Sequence, residues 1–181
     1  MGQESSFSSN ALGEIGLGWD FSKIGDRYML DIKKATSKDF QDLARLISGD
    51  IAWSRYGIDY EAALLLIKSA EDEFYIARND QETIGFCALR LTGVGNIGAY
   101  MRMILVSESY RNQGIGKKLL EYIWDLVIKH VPNLFLICST DNLRAQKFYE
   151  RQGFKRVGTL DNLVITDHDE ILYWKTGGPL R

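Results

Sequence analysis

Leu134-Phe135-Leu136-Ile137-Cys138 is an unbroken apolar run of strand length. Half-buried strands alternate, so a run without alternation reads as a central strand covered on both faces. Ahead of it lies a long helix, Gln113 to about His130. Its stripe of Ile115, Leu119, Ile123, Leu126 and Val127 continues until Val131-Pro132 stops it. The other elements fall into order around this pair. Tyr28–Ala35 reads as a strand, and Thr36-Ser37-Lys38-Asp39 as the capping-box start of a helix with Phe40, Leu43, Ala44 and Ile47 on one face. Gly49 and Asp50 end that helix, Trp53–Gly57 forms a bridge, and a second helix runs from Asp59 through Ile67. Phe74–Arg78 and Thr83–Leu91 make a hairpin, Thr92–Gly98 a turn, and Ala99–Val106 a further strand. Asn142 caps a short helix to about Gln152, Gly153 stops it, and Phe154–Val157 and Ile171–Trp174 complete the sheet. The order β-α-α-β-β-β-α-β-α-β-β predicts an α/β fold with a mixed sheet covered by helices.

A length of 181 residues suits one domain. Residues 1–27 hold five Gly and five Ser without a sustained period, and read as a tail that is mobile or pinned through Trp19 and Phe21. Residues 28–176 form the domain and 177–181 a short carboxyl-terminal tail. Lys and Arg number 22 against 24 Asp and Glu, with no block of like charge, which disfavours nucleic-acid binding by net charge. Cys87 and Cys138 sit inside apolar runs, and His130 and His168 stand 38 residues apart, so neither a disulfide framework nor a metal set is written. Reduced thiols fit a cytoplasmic protein. No apolar run reaches the roughly 18–20 residues of a membrane span. Met1–Ser6 matches the letters of a myristoylation template, but no polybasic segment accompanies it.

Chemistry concentrates in Val106-Ser107-Glu108-Ser109-Tyr110-Arg111-Asn112-Gln113-Gly114-Ile115-Gly116, where a strand passes through a glycine-bearing turn into the long helix. A helix start leaves unpaired N–H groups and a partial positive charge, and glycines let a phosphate approach them. Arg111 adds a cation, and Lys117 and Lys118 a basic pair. The segment predicts a diphosphate cradle; the plainer reading is a tight turn with close helix packing.

Arg111-x-x-Gly114-x-Gly116 after a strand resembles the acyl-CoA signature of the GNAT N-acetyltransferase superfamily, and Asn142-x-x-Ala145-x-x-Phe148-Tyr149-x-x-x-Gly153-Phe154 resembles its second signature. The similarity covers roughly Tyr28 to Lys175. It implies a mostly antiparallel sheet whose central parallel strands, Ala99–Val106 and Leu134–Cys138, splay around acetyl-CoA as co-substrate. It further implies that backbone groups of Ile104, Leu105 and Val106 pair with the pantetheine arm and thioester carbonyl. The amides of Arg111, Asn112, Gln113, Gly114, Ile115 and Gly116 then hold the pyrophosphate, Asn142 touches the pantetheine or its water, and the Tyr149 hydroxyl acts as general acid on the departing sulfur. Without the resemblance, Asn142 reads as a helix cap and Tyr149 as a boundary aromatic.

Direct transfer needs a neutral amine and hence a base. The positions where some relatives carry a strand glutamate are Tyr100 and Ile137 here; Glu108 and Asp141 read as solvated loop residues, and the base stays unassigned. Strand alternation puts Tyr100, Arg102 and Ile104 on one face and Met101, Met103 and Leu105 on the other. Arg102 then either pairs with an acceptor's carboxylate or phosphate or makes a structural ion pair. Trp53, Arg55 and Tyr56 are candidates for the other wall of the acceptor cleft. Gly93-Val94-Gly95-Asn96-Ile97-Gly98 fits the dinucleotide-binding template, but a strand rather than a helix follows, so a hairpin turn explains it. The expected activity is acetyl transfer from acetyl-CoA to a primary amine of a small molecule, amino acid or protein. A non-catalytic acyl-CoA sensor or interaction module is the alternative. Strand edges and Trp174 leave room for a homodimer.

Overall fold

The computed structural model describes residues 30–54 and 56–180; the tail read over residues 1–27 lies outside them, as does Arg55. Seven strands form one sheet: β1 (Leu30–Lys34), β2 (Glu73–Asn79), β3 (Glu82–Arg90), β4 (Ala99–Val106), β5 (Asn133–Ser139), β6 (Lys155–Ile165) and β7 (His168–Thr176). They lie in the order β1-β2-β3-β4-β5-β7-β6, and every neighbouring pair is antiparallel except β4 with β5. Helices α1 (Phe40–Ser48) and α3 (Tyr60–Ser69) cover one face through Leu43, Ile47, Ala63 and Ile67, which pack on Phe74, Ile76, Phe86 and Leu105. Helix α4 (Ile115–Val127) covers the other face through Leu120, Ile123 and Val127, joined by Tyr149 of α5 (Leu143–Arg151). No helix among the described residues is long and apolar enough to cross a membrane.

Local chemistry explains most boundaries. Asp59 caps α3 by accepting from the Ala62 N–H at 2.8 Å, and Asn142 caps α5 by accepting from the Ala145 N–H at 3.1 Å. The Gly93–Gly98 stretch is the β3–β4 connection. A side chain on Gly93 would stand 2.4 Å from Tyr100 Cβ, and one on Gly98 2.8 Å from the Asn133 carbonyl, so close packing is what these two glycines serve. Two expectations fall short at the edges. A four-residue helix, α2 (Ile51–Ser54), follows Gly49-Asp50 directly, and β6 runs to Ile165 rather than stopping at Val157. As the sheet's outer strand, β6 is mostly exposed, so nothing forces an apolar pattern on it.

Two corrections concern the centre. Strand β5 is central, yet its Phe135 and Ile137 are only half-buried while Leu134, Leu136 and Cys138 are buried; its second face meets a cleft rather than a helix. Strand β4 does not alternate throughout. Met101 pairs with Leu89 and Met103 with Ala88, which leaves Arg102 as an extra residue, a β-bulge. Ala99 and Met101 therefore join the core under α4, but Met103 and Leu105 join the core under α1 and α3, while Ile104 and Val106 pack on the α4 side. Ile104 does not share a face with Tyr100 and Arg102.

At the entry to α1 the Asp39 carboxylate accepts from the Thr36 N–H at 2.7 Å, the Thr36 hydroxyl at 2.9 Å and the Arg78 guanidinium at 2.5 Å. Burial alone would raise its pKa, but the Thr36 bonds and the Arg78 charge outweigh it and hold the carboxyl below its ordinary value. A depressed folded-state pKa contributes stability that is complete above the unfolded value of about 3.9 and is lost as pH falls through the folded value. Asp39→Asn should therefore lower stability at pH 7 and flatten the acid limb of the stability profile below about pH 4, read by urea unfolding at stepped pH.

Candidate active site

Strands β4 and β5 begin side by side and then part. Only Ala99 with Leu134 and Tyr100 with Phe135 are paired between them. From Met101 to Val106 the β5-facing edge of β4 has no strand partner, although its other edge is held by β3. Buried N–H and C=O groups without partners are costly, so such an edge inside a protein calls for a ligand with its own amide or carbonyl groups. The gap opens into a cleft of about 1070 Å³.

At the end of β4 the chain makes a short 3-10 turn over Glu108–Tyr110 and enters α4. Asn112 and Gly114 both adopt left-handed backbone, with φ of 62° and 81°, and so turn successive amides toward one side as a concave nest. The first three amides of α4, those of Ile115, Gly116 and Lys117, have no intrahelical acceptor and add the positive end of the helix dipole. Nest, helix start and open strand edge are thus contiguous.

Arg111 has a different place from the one expected of a phosphate-binding cation. Its amide donates to the Glu108 carbonyl at 3.2 Å, its Nε to the Val106 carbonyl at 3.0 Å, and its terminal nitrogen to the Asp50 carboxylate. Arg111 locks the loop to β4 and to the start of α2. Arg111 still lines the cleft, whereas Gln113 leaves its wall, its side chain donating to the Ser109 carbonyl at 3.0 Å. The cleft does gather Ile104, Leu105, Val106, Asn112, Gly114, Ile115, Gly116, Asn142 and Tyr149, with Trp53, Tyr56, Tyr100 and Arg102.

Tyr149 is held in an aromatic cluster, its ring centroid 5.4 Å from Phe148, 5.9 Å from Phe154 and 6.0 Å from Tyr173. Burial pushes its phenol far above the ordinary value, with Cys138 the next contributor. Its hydroxyl has no hydrogen-bond partner among the described residues, so a protonated donor faces the cleft. Cys138 also lines the cleft, but burial pushes its thiol up to about 12, so it is not a thiolate at neutral pH. Glu108 and Asp141 are exposed and do not line it.

Arg102 donates at 2.7 Å to Asp72, which also accepts from Arg90 Nε at 3.0 Å. The Asp72 side chain is 1% exposed while both arginines are partly exposed, so the charged residue inside β4 belongs to an ion triad centred on a buried carboxylate. Two carboxylates absent from the expected set line the cleft: Asp50, bonded to Arg111, and Glu170 of β7, which is 3% exposed.

The model of the Acetyltransferase (GNAT) family matches residues 33–154, from β1 to the end of the turn after α5. The chain belongs to that family. This GNAT enzyme is 25% identical to N-alpha-acetyltransferase 30 of Schizosaccharomyces pombe over 150 residues, 80% of this chain and 97% of that protein. It is 28% identical to N-acetylaspartate synthetase of Xenopus tropicalis over 96 residues, a match spanning 51% of this chain and 34% of that protein. The crystal structure of an aminoglycoside 6'-N-acetyltransferase complexed with coenzyme A shares its fold, with a TM-score of 0.68 at 20% identity, covering 83% of this chain and 99% of that one.

Proposed function

We propose that this GNAT enzyme transfers the acetyl group of acetyl-CoA directly to a primary amine of a small molecule, amino acid or protein. The observation that carries the reading is the open β4 edge running into the amide nest at the start of α4. Backbone groups of Ile104, Leu105 and Val106 meet the amides of the pantetheine arm and the thioester carbonyl, and the amides from Asn112 to Gly116 meet the pyrophosphate. Asn142, whose Oδ1 already caps α5, offers the cofactor its remaining amide group. The amine nitrogen bonds to the thioester carbon, the tetrahedral oxyanion collapses, and the departing sulfur takes the Tyr149 proton. The N-alpha-acetyltransferase relative, matched over nearly its whole length, favours an α-amine as acceptor. The buried Cys87 and Cys138, both free thiols, suit a reducing compartment such as the cytoplasm.

Calorimetric titration with coenzyme A tests the binding half. Saturable heat is expected, and its absence at millimolar coenzyme A on folded protein would end the proposal. Gly114→Ala should weaken binding by roughly 5- to 30-fold, because a side chain disfavours the left-handed nest by about 1–2 kcal/mol and depopulates the competent loop. At Gly116 an added Cβ would make only ordinary protein contacts, 3.6 Å from Val106 and 3.7 Å from Phe148, so thermal unfolding of Gly114→Ala, rather than a second cradle variant, checks that the loss is of binding and not of fold.

A further inference from the structure

We propose that Glu170 is the general base that takes a proton from the acceptor's ammonium group, an inference resting on the acetyl-transfer reading above. Deprotonation needs a carboxylate, imidazole or comparable base in reach of the amine. Among the described residues that line the cleft there is no histidine, and the carboxylates are Asp50 and Glu170. Asp50 is bonded to the Arg111 guanidinium, at the loop that leads from β4 into α4.

Glu170 has a position that suits the work. It pairs with Ser139 on β5, four residues beyond Phe135, where β5 last touches β4. That is on the order of 13 Å along the strand, in the opened part of the gap. Ile171 and Tyr173 of β7 belong to the core under α4 and α5, so alternation turns Glu170 to the opposite face. Tyr149 belongs to that same core. Both residues line the cleft, and a proton acceptor and a proton donor therefore flank the splayed strands from opposite faces. An amine arriving on the Glu170 side would add to the thioester carbon, and the tetrahedral intermediate would expel sulfur on the Tyr149 side. The titratable groups around Glu170 are Tyr100 of β4 and Cys138 of β5, both of which feel its charge, with Arg102 beside Tyr100 and Asp141 acting on Cys138.

Protons balance. One passes from the ammonium to Glu170 and on to solvent. The neutral amine forms the C–N bond and the C–S bond breaks. Sulfur takes the Tyr149 proton, the second proton of the former amine leaves through Glu170 to solvent, and Tyr149 regains a proton from solvent.

The test uses the full chain, acetyl-CoA and a panel of amino acids, polyamines and dipeptide amides, read by thiol release. With the fastest acceptor of the panel, Glu170→Gln should lower kcat by about 10²–10⁴-fold while acetyl-CoA affinity changes less than twofold. The acid limb of the pH–rate profile should vanish, and Glu170→Asp should restore part of the rate with that limb present. Thermal unfolding of both variants separates a lost base from a lost fold. A Glu170→Gln variant that folds, binds acetyl-CoA and keeps the parent rate and pH profile overturns the assignment of Glu170 alone. Binding without turnover on every amine overturns the base and the transferase reading together, and absent binding overturns the reading at its cofactor.

Discussion

Tyr149→Phe is expected to cut kcat by about 10²–10⁴-fold while leaving the affinity for acetyl-CoA and the melting temperature nearly unchanged. The substitution removes one oxygen and keeps the ring. That ring carries the packing, through its contacts with Phe148, Phe154 and Tyr173. The hydroxyl donates to no described residue, so its removal strands no partner in the core, and the usual penalty of an orphaned buried group does not arise. What is lost is a proton source. Burial holds the phenol protonated throughout the working pH range, which suits a donor to a departing thiolate and unsuits a base. Pre-steady-state thiol release measures the effect. An unchanged rate would show that sulfur leaves unprotonated or takes its proton from water, and Tyr149 would return to being a core aromatic.

The part of the cleft around the start of α4 was legible in the sequence because its requirements are local. A strand, a left-handed Gly114 and a helix start are consecutive in the chain, and Asn142 and Tyr149 lie within one short helix turn-set from cap to core face. The wall that carries Asp50 and Glu170 was not, because it is assembled by packing. Asp50 reads as a helix terminator until α2 is seen to begin beside it, and Glu170 falls outside β7 if the strand is started at Ile171, three residues after its true first residue His168. Period-two alternation failed at Arg102 for a definite reason: a bulge adds one residue, and every side chain beyond it changes face. Nothing in the local text marks that insertion. Its trace is a charged residue in an apolar strand, and the same trace is what a substrate-binding arginine would leave. The unbroken apolar run of β5 was ambiguous in the same way, since a strand facing a ligand cleft and a strand under a helix can carry equal apolar content.

Asp72 provides the test of which reading of Arg102 holds. Its carboxylate is buried at 1% exposure and accepts from Arg102 at 2.7 Å and from Arg90 at 3.0 Å, with Glu71 a further, exposed partner of Arg90 at 3.3 Å. Asp72→Asn keeps the shape and removes the charge, leaving two guanidinium groups facing each other across a neutral amide. Breaking a buried pair costs about 3–5 kcal/mol, but both arginines keep roughly a third of their side-chain surface in water, so a loss of about 2–4 kcal/mol is expected. For a chain of this size that is a fall in melting temperature on the order of 10 °C. Replacing the whole group, as Asp72→Leu with Arg90→Met and Arg102→Met, should recover most of the loss, because no charge is then left to desolvate. If the triple variant is as unstable as Asp72→Asn, packing of the three side chains rather than charge compensation holds this corner. The same variants decide the functional question, since Arg102→Met alone leaves Asp72 bonded to Arg90. An unchanged acceptor KM in Arg102→Met assigns the arginine to the sheet; a raised KM with unaltered acetyl-CoA affinity assigns it to an anionic group on the acceptor.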